Sequence, residues 1–561
     1  MVQEIQQKPQ NQVAAVQAAS AVTPWNNKTV AETILEQLHL WGVERIYGVV
    51  GDAILGLMDA IAKQNRIRFI AVKHESVAAM MASAEAKLTG KLGVCVATMG
   101  PGLGNLLNGL GDAHMDKAPV LAITGQAPTD KIGTDYKQYV DQQELIKPFA
   151  RYSTLLTHPN ATVEVLVKAM HTSLTEGAVT HLSVPKDMFT MMTSAKVRQK
   201  PALLKGTAQF DKHGLQSAIQ LLASAKQPMI VAGVGGRTAA QAVGKLAETL
   251  GAGILVSLGA KGMIPESSPN MLGGIGQGGN PYADDLFKQS DVVLLVGDTW
   301  WPEGYVPTQA RILQIDTAQQ NIGKGIPTEL GIVGDASVAV PLLTEGLQGY
   351  QKNPEWVSKW TVVKRMWELT NEQEGMLGGS PIHPATVCRV IERSVSSNAV
   401  ITLDTGDVTV WMNRSFRAQN QDVLFSGDWR TMGFGVPAAL AAKLCSPDRQ
   451  VVAVVGDGGL EMVMADLLTA VRYGLQVTVV VFNNGALQME LDKMIVSGFQ
   501  TEGVQLTNPD FVKLAQACGW EGYRTETEEQ LERALREALQ SNKPVLIDVK
   551  TAAVVHPETK Q

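Results

Sequence analysis

Short runs of β-branched and aliphatic residues alternate with longer amphipathic stretches from about residue 28 almost to the end of the chain. Unbroken apolar runs mark strands buried on both faces, as in parallel sheets covered by helices. The pattern divides into three blocks. The first, residues 28–195, carries candidate strands at 45–50, 68–72, 93–97 and 119–124. The second, residues 205–350, carries them at 229–232, 254–258, 292–296 and 312–315. The third, residues 382–554, carries them at 399–403, 451–455, 477–482 and 545–549. Residues 1–27, rich in Gln and Ala, read as a flexible tail, and residues 351–381 as a charged, Trp-rich helical linker ended by Gly378-Gly379-Ser380-Pro381. The fold class is therefore α/β, with three parallel-sheet α/β domains.

Bulk properties narrow the partners. The 561 residues fit three or four domains of about 150 each. A net charge of -6 gives no electrostatic reason to expect nucleic acid or an anionic membrane as a partner. No apolar run reaches the ~18 residues of a membrane span, and the start lacks the basic region and compact apolar core of a secretory signal. Cys95, Cys388, Cys445 and Cys518 form no CxxC pair, and read as free thiols of a cytoplasmic protein.

One stretch carries chemistry. A buried strand runs into Gly456-Asp457-Gly458-Gly459, and a helix with Met462, Leu467, Leu468 and Val471 at helical spacing is stopped by Gly474. A second buried strand ends in Asn483-Asn484, with 24 residues between the GDG and NN motifs. Ligands of open parallel sheets bind at the carboxyl ends of strands, so Asp457 and Asn484 can approach one hard cation from neighbouring loops. Carboxylate and amide oxygens suit Mg²⁺ bridged to a diphosphate, and a glycine-rich helix start favours the anion. Alone, Gly-Asp-Gly is a common turn; the joint pattern is far more specific.

The GDG…NN signature resembles that of thiamine-diphosphate enzymes, and the block order is similar to their pyruvate oxidase and acetolactate synthase branch, from about residue 27 to 549. The resemblance implies a pyrimidine-binding domain, a central domain of dinucleotide-binding type and a diphosphate-binding domain. The cofactor would lie between the first domain of one subunit and the third of another, so a homodimer or homotetramer is expected. It further implies Mg²⁺ held by Asp457, Asn484 and the Ala486 carbonyl. Glu75, in a His-Glu-x-x-Ala pattern, would hydrogen-bond the aminopyrimidine as the acid that promotes carbanion formation; read alone, it is an acid complementing a helix start. Met432 would prop the cofactor in its bent form, or is an ordinary core residue. Gly51 and the Gly100-Pro101-Gly102 and Asn108-Gly109 pairs would shape the pyrimidine cleft. Gln138 would bind a substrate carboxylate.

In the central block, Gly233-Val234-Gly235-Gly236-Arg237 follows a strand and is similar to the turn of flavin-binding pyruvate oxidases, as are the stretches at 258–262, 272–274 and 297–298. Asp316 sits at a strand end suited to a ribose hydroxyl, and Asp335 lies in a second suitable loop. FAD binding is the expectation. Departures from pyruvate oxidases occur at Lys137, Met489 and Lys493: a cation at Lys137 could meet a second anionic group, and Glu490 or Asp492 could substitute for a family glutamate. The leading expectation is FAD-linked oxidative decarboxylation of pyruvate or a similar 2-oxo acid. A non-oxidative carboligase such as acetolactate synthase is the alternative, and a non-catalytic cofactor-binding subunit the minor one.

Overall fold

The computed structural model describes residues 28–201, 211–299, 307 and 309–559. The 1–27 tail and the proposed start of the second block at 205 lie outside the described residues.

Three six-stranded sheets are present, each wholly parallel. The first runs, edge to edge, Arg68–Ala71, Arg45–Gly48, Gly93–Ala97, Val120–Gln126, Val179–Pro185 and Ala150–Leu155. The second runs Met271–Gly274, Gly253–Val256, Pro228–Ala232, Val292–Val296, Arg311–Asp316 and Leu330–Val333. The third runs Asp422–Leu424, Val400–Leu403, Val451–Gly456, Thr478–Asn483, Val545–Lys550 and Glu521–Thr525. Inner strands such as Gly93–Ala97, Val292–Val296 and Val400–Leu403 bury every residue, which is why they read as apolar runs without alternation.

Each sheet switches from growth on one side of its first strand to growth on the other, and ligands of such sheets bind in the crevice at that switch. The crevice lies between Arg45–Gly48 and Gly93–Ala97 in the first sheet, Pro228–Ala232 and Val292–Val296 in the second, and Val400–Leu403 and Val451–Gly456 in the third. Gly51, Gly233 and Asp457 each follow one of these strands. The glycine-rich turns at Gly51, Gly233 and Gly456–Gly459 therefore all stand at switch points.

Two expectations change. Residues Pro354–Gly375 form one helix, but Trp356 and Trp360 are buried in the core of the central sheet. Their indole N–H groups donate to the Pro228 and Gly251 carbonyls at 2.9 Å. This helix is a layer of the central domain and not a free linker. The helix expected after the GDG turn is also not continuous. It breaks into Asp457–Val463, a tight turn Met464–Asp466, and Leu467–Tyr473, which Gly474 ends in a left-handed conformation (φ +63°). The break turns Met462, Leu468 and Val471 outward, while Leu467 is buried.

The first and third domains share one core. Helix Glu75–Thr89 packs on helix Gly435–Cys445, joining Met80, Met81 and Ala82 to Val436 and Leu440. Between them Lys87 is sequestered with Asp112 and Asp116, at 2.8 and 2.6 Å, and lies over the Phe434 ring. Burying an ammonium requires such pairing. Among the described residues no helix is long and apolar enough to cross a membrane, and all four cysteines are free.

Candidate active site

The third domain brings its two motif loops into contact. Asp457 is 2% exposed, and its carboxylate accepts N–H bonds from Gly485 at 2.7 Å, Gly458 at 3.0 Å and the Asn508 amide at 2.8 Å. Burial pushes its pKa up; these neutral donors only partly offset that. Asn508 also donates to Asn483 Oδ1, so its own Oδ1 is buried with no partner among the described residues. A buried carboxylate with only neutral partners, beside an orphaned amide oxygen, is a donor set suited to a hard cation. Asn483 is tied to Asp548 at 2.7 Å, whereas the side chain of half-buried Asn484 accepts, among the described residues, only the Ala486 N–H, at 3.2 Å. Ala486 is 6% exposed in the same loop, which is pinned by hydrogen bonds from Leu487 N–H to the Val504 carbonyl and from Leu506 N–H to the Gly485 carbonyl. A Cβ added at Gly456 or Gly485 would meet nothing within 4 Å. The turn thus faces open space, bounded at Gly458 by Leu487, Leu506 and the Met432 methyl.

Met432 is set by a buried acid that sequence reasoning missed. Asp404 accepts the Gly433 and Thr405 N–H groups at 2.7 and 2.8 Å, and burial raises its pKa to about 6. Gly459 is needed here: a Cβ would lie 2.7 Å from the Asp404 carboxylate. From the first domain, Asn108 holds Thr431 at 2.9 Å and accepts from the Trp429 indole at 2.9 Å.

In the first domain, Glu75 opens helix Glu75–Thr89, is half-buried, and accepts from Asn105 at 3.0 Å. Among the described residues no hydrogen bond joins it to the Asp457 turn of the same chain. Gly51 packs directly on Thr98, where a Cβ would stand 2.5 Å from its Cβ. Gln138 is exposed with φ +61°, and its carbonyl presses on Gly100, itself at φ +60°. Such left-handed backbone at a non-glycine residue clusters at functional sites. Lys137 is exposed beside it, and lies near enough to Asp52 to add to the pull of the Lys186 ion pair, which lowers that acid's pKa.

The described residues match the family of thiamine pyrophosphate enzymes in all three parts. The N-terminal TPP binding domain covers residues 28–145, the central domain 215–343 and the C-terminal TPP binding domain 404–549. A putative thiamine pyrophosphate-containing protein of Bacillus subtilis is 36% identical over 93% of this chain and 92% of its own. A pyruvate oxidase of Lactiplantibacillus plantarum is 31% identical, over 94% and 89%, and a probable acetolactate synthase large subunit of Methanococcus aeolicus 30%, over 92% and 91%. The chain belongs to the thiamine pyrophosphate enzymes. It falls with relatives of the pyruvate oxidase and acetolactate synthase kinds.

The central domain of this thiamine pyrophosphate enzyme suits a dinucleotide less well than the third domain suits a metal diphosphate. Asp316 stands at a strand end, but its carboxylate holds the Ala318 N–H and the Asn321 amide at 2.8 and 2.9 Å. Asp335 caps helix Ala336–Gly346. After Gly233 the chain winds as a tight turn, Val234–Ala239, so Gly235 N–H donates to Gly297 and Gly236 N–H to Gly233, both at 2.9 Å. Arg237 pairs with Asp422 at 2.6 Å and donates to the Gly259 carbonyl at 3.1 Å. The acids are engaged by their own loops, and so are the Gly235 and Gly236 amides and the Arg237 guanidinium that a pyrophosphate would need. After the Asn pair, Glu490 is exposed and paired with Lys493 at 2.9 Å. Asp492 is buried, bonded to Gln488 and to His556 N–H. Asn105, Asp404 and Asn508 carry no local motif, and no signal in one sequence would have found them.

Proposed function

We propose that this thiamine pyrophosphate enzyme decarboxylates pyruvate or a similar 2-oxo acid with thiamine diphosphate and Mg²⁺. The single observation that carries the reading is the Gly485 N–H bond to buried Asp457, which draws the GDG and Asn-Asn loops to one point. Asp457, Asn484 and the Ala486 carbonyl would hold Mg²⁺, with the diphosphate on the open face of the Gly456 turn. Thiamine diphosphate, when bound, supplies the electron sink that makes CO₂ a leaving group.

The chain's own groups do the rest. Glu75 stands at the start of a helix, steadied by Asn105, where a positioned carboxyl can assist proton transfer at the pyrimidine. Met432, anchored through Asp404 and Gly433, supplies an apolar prop. Gln138 offers an amide to the substrate carboxylate, and Lys137 offers a charge to substrates with a second anionic group. Met462, Leu468 and Val471, 64%, 43% and 42% exposed on the single chain, support a second copy covering this face. FAD-linked oxidation is the leading fate of the two-carbon unit. Carboligation without net oxidation is the second reading, favoured by the engaged Arg237 and Gly235.

An absorbance spectrum before and after anaerobic pyruvate tests this. A yellow protein that bleaches is an oxidase; yellow without bleaching points to carboligation; a colourless protein removes flavin from the mechanism. Glu75→Gln is expected to bind thiamine diphosphate and Mg²⁺ normally and to lose about 100-fold or more of turnover. Wild-type turnover in that variant would remove Glu75 from the acid role.

A further inference from the structure

The strand that leads to Glu75 is an edge strand, and its free edge is covered by two side chains of the third domain. Arg68 N–H and Val72 N–H pair inward with the Glu44 and Gly48 carbonyls, which leaves the groups of Phe69 and Ala71 facing out. The Tyr473 hydroxyl meets both. It accepts the Ala71 N–H at 2.6 Å and donates to the Phe69 carbonyl at 3.3 Å, while the Arg68 guanidinium lies 4.9 Å above its ring. Two residues on, Lys73 N–H donates to Asp466 Oδ1 at 3.0 Å. Asp466 is 1% exposed and is itself held by the Thr469 hydroxyl at 2.7 Å. The short helix Leu467–Tyr473, which follows Asp466 and carries Tyr473, is fixed by the Trp520 indole, which donates to the Leu467 carbonyl at 2.8 Å. His74 then caps the helix that Glu75 opens. The outward backbone donors of Ala71 and Lys73 on this approach are thus both taken by third-domain side chains.

We propose that Asp466 and Tyr473 are positioning residues for Glu75, fixing the approach to its helix through the Lys73 and Ala71 amides. This rests on the reading of Glu75 as the proton-transfer acid. Neither side chain touches the cofactor loops; they act by fixing the path of residues 69–74. A carboxyl displaced by about 1 Å loses much of its advantage in a proton transfer, so the effect falls on reaction and not on binding. The arrangement also explains the break after the GDG helix: the turn at Met464–Asp466 is what aims Asp466 at the first domain.

The test compares Asp466→Ala, Asp466→Asn and Tyr473→Phe with wild type and Glu75→Gln. Three quantities are read: C2–H exchange of bound thiamine diphosphate with Mg²⁺, its calorimetric affinity, and amide hydrogen exchange of residues 69–77 without cofactor. Asp466→Ala is expected to slow C2–H exchange by about 10- to 100-fold and Tyr473→Phe by about fivefold, with affinity kept within about threefold. In the cofactor-free protein, Lys73 should lose amide protection in Asp466→Ala, and Ala71 in Tyr473→Phe. Asp466→Asn keeps the accepting oxygen and should stay within about twofold of wild type. Unchanged amide protection overturns the inference, as does a loss of affinity that matches the loss of exchange. Slow C2–H exchange in Glu75→Gln with normal exchange in both clamp variants overturns it and leaves Glu75's role standing. Full-speed exchange in Glu75→Gln overturns that role, and this inference with it.

Discussion

The turns at Gly456–Gly459 and Gly233–Gly236 share one local grammar and differ in what surrounds them. Each follows a fully buried parallel strand at a switch point of its sheet. A Cβ at Gly456 would meet nothing within 4 Å, whereas one at Gly233 would stand 2.5 Å from Asp298 and from the Gly297 carbonyl. The third-domain turn carries a buried carboxylate whose partners among the described residues are all neutral donors. The central turn has its amides bonded to its own neighbours and its arginine bonded to Asp422. A glycine-rich turn becomes a ligand site when the fold leaves its electrostatics unmet. In the central turn, packing from within engages the same motif in contacts with its own domain and with Asp422 of the third.

The strongest way to break this contrast is to remove the unmet charge. Asp457→Ala should abolish thiamine diphosphate-dependent stabilisation, which at a hundredfold excess over Kd amounts to ~2.7 kcal/mol. Turnover should fall on the order of 10³-fold, ~4 kcal/mol. Arg237→Ala, the matching change in the central turn, should leave thiamine diphosphate affinity unchanged. A Mg²⁺-dependent rise in melting temperature that survives in Asp457→Ala would void the contrast. Without cofactor, relief of the buried carboxylate and the orphaning of the Gly458, Gly485 and Asn508 donors oppose each other, so stability should change by no more than about 2 kcal/mol.

How far the sequence could see follows the same division between local pattern and tertiary contact. Inner strands such as Val292–Val296 and Gly93–Ala97 were legible to the residue, because burial on both faces demands an apolar run. Apart from Arg68–Ala71, edge strands were not. Ala150–Leu155 and Glu521–Thr525 are half-exposed and polar, with no period to betray them. Val179–Pro185 is fully buried yet was also hidden, because His181 interrupts it. That ring is held neutral by burial, which lowers its pKa to about 3, between the Thr124 and Ser153 hydroxyls at 2.8 and 2.9 Å. At the site, Asp457, Asn484 and Glu75 stand in recognisable spacings. Asp404, Asp466 and Asn508 do not, because each acts on a loop distant in sequence. Nor could periodicity foresee the break at Met464–Asp466, which satisfies a contact with another domain.

A smaller effect sharpens the comparison through glycine itself. Gly459→Ala would drive a methyl to within 2.7 Å of the Asp404 carboxylate, which is buried and cannot retreat into solvent. Overpacking of this kind costs about 1–3 kcal/mol, and it should also shift Met432 through Gly433. Gly235→Ala places its methyl 3.0 Å from Gly297, a milder contact that the lower entropy of an unfolded alanine offsets. The net change there should be within about 1 kcal/mol of zero. Urea unfolding of the two variants decides it. Equal losses would mean that the two turns are equally constrained.

The smallest expected effect bears on the central turn alone. Asp422 holds Arg237 at 2.6 Å and Arg449 at 2.8 Å, and the Arg237–Asp422 pair is partly exposed, so Asp422→Asn should change stability by no more than about 1 kcal/mol. Freed from its carboxylate, Arg237 becomes available to a pyrophosphate, and FAD affinity, read by quenching of flavin fluorescence, should rise by about threefold to fivefold for the same ~1 kcal/mol. A fall in affinity would carry the opposite lesson. It would mean that Asp422 aims the guanidinium at the dinucleotide and does not compete with it. The central turn would then be a ligand site whose electrostatics are prearranged, and its difference from the Gly456 turn would be one of order of assembly and not of kind.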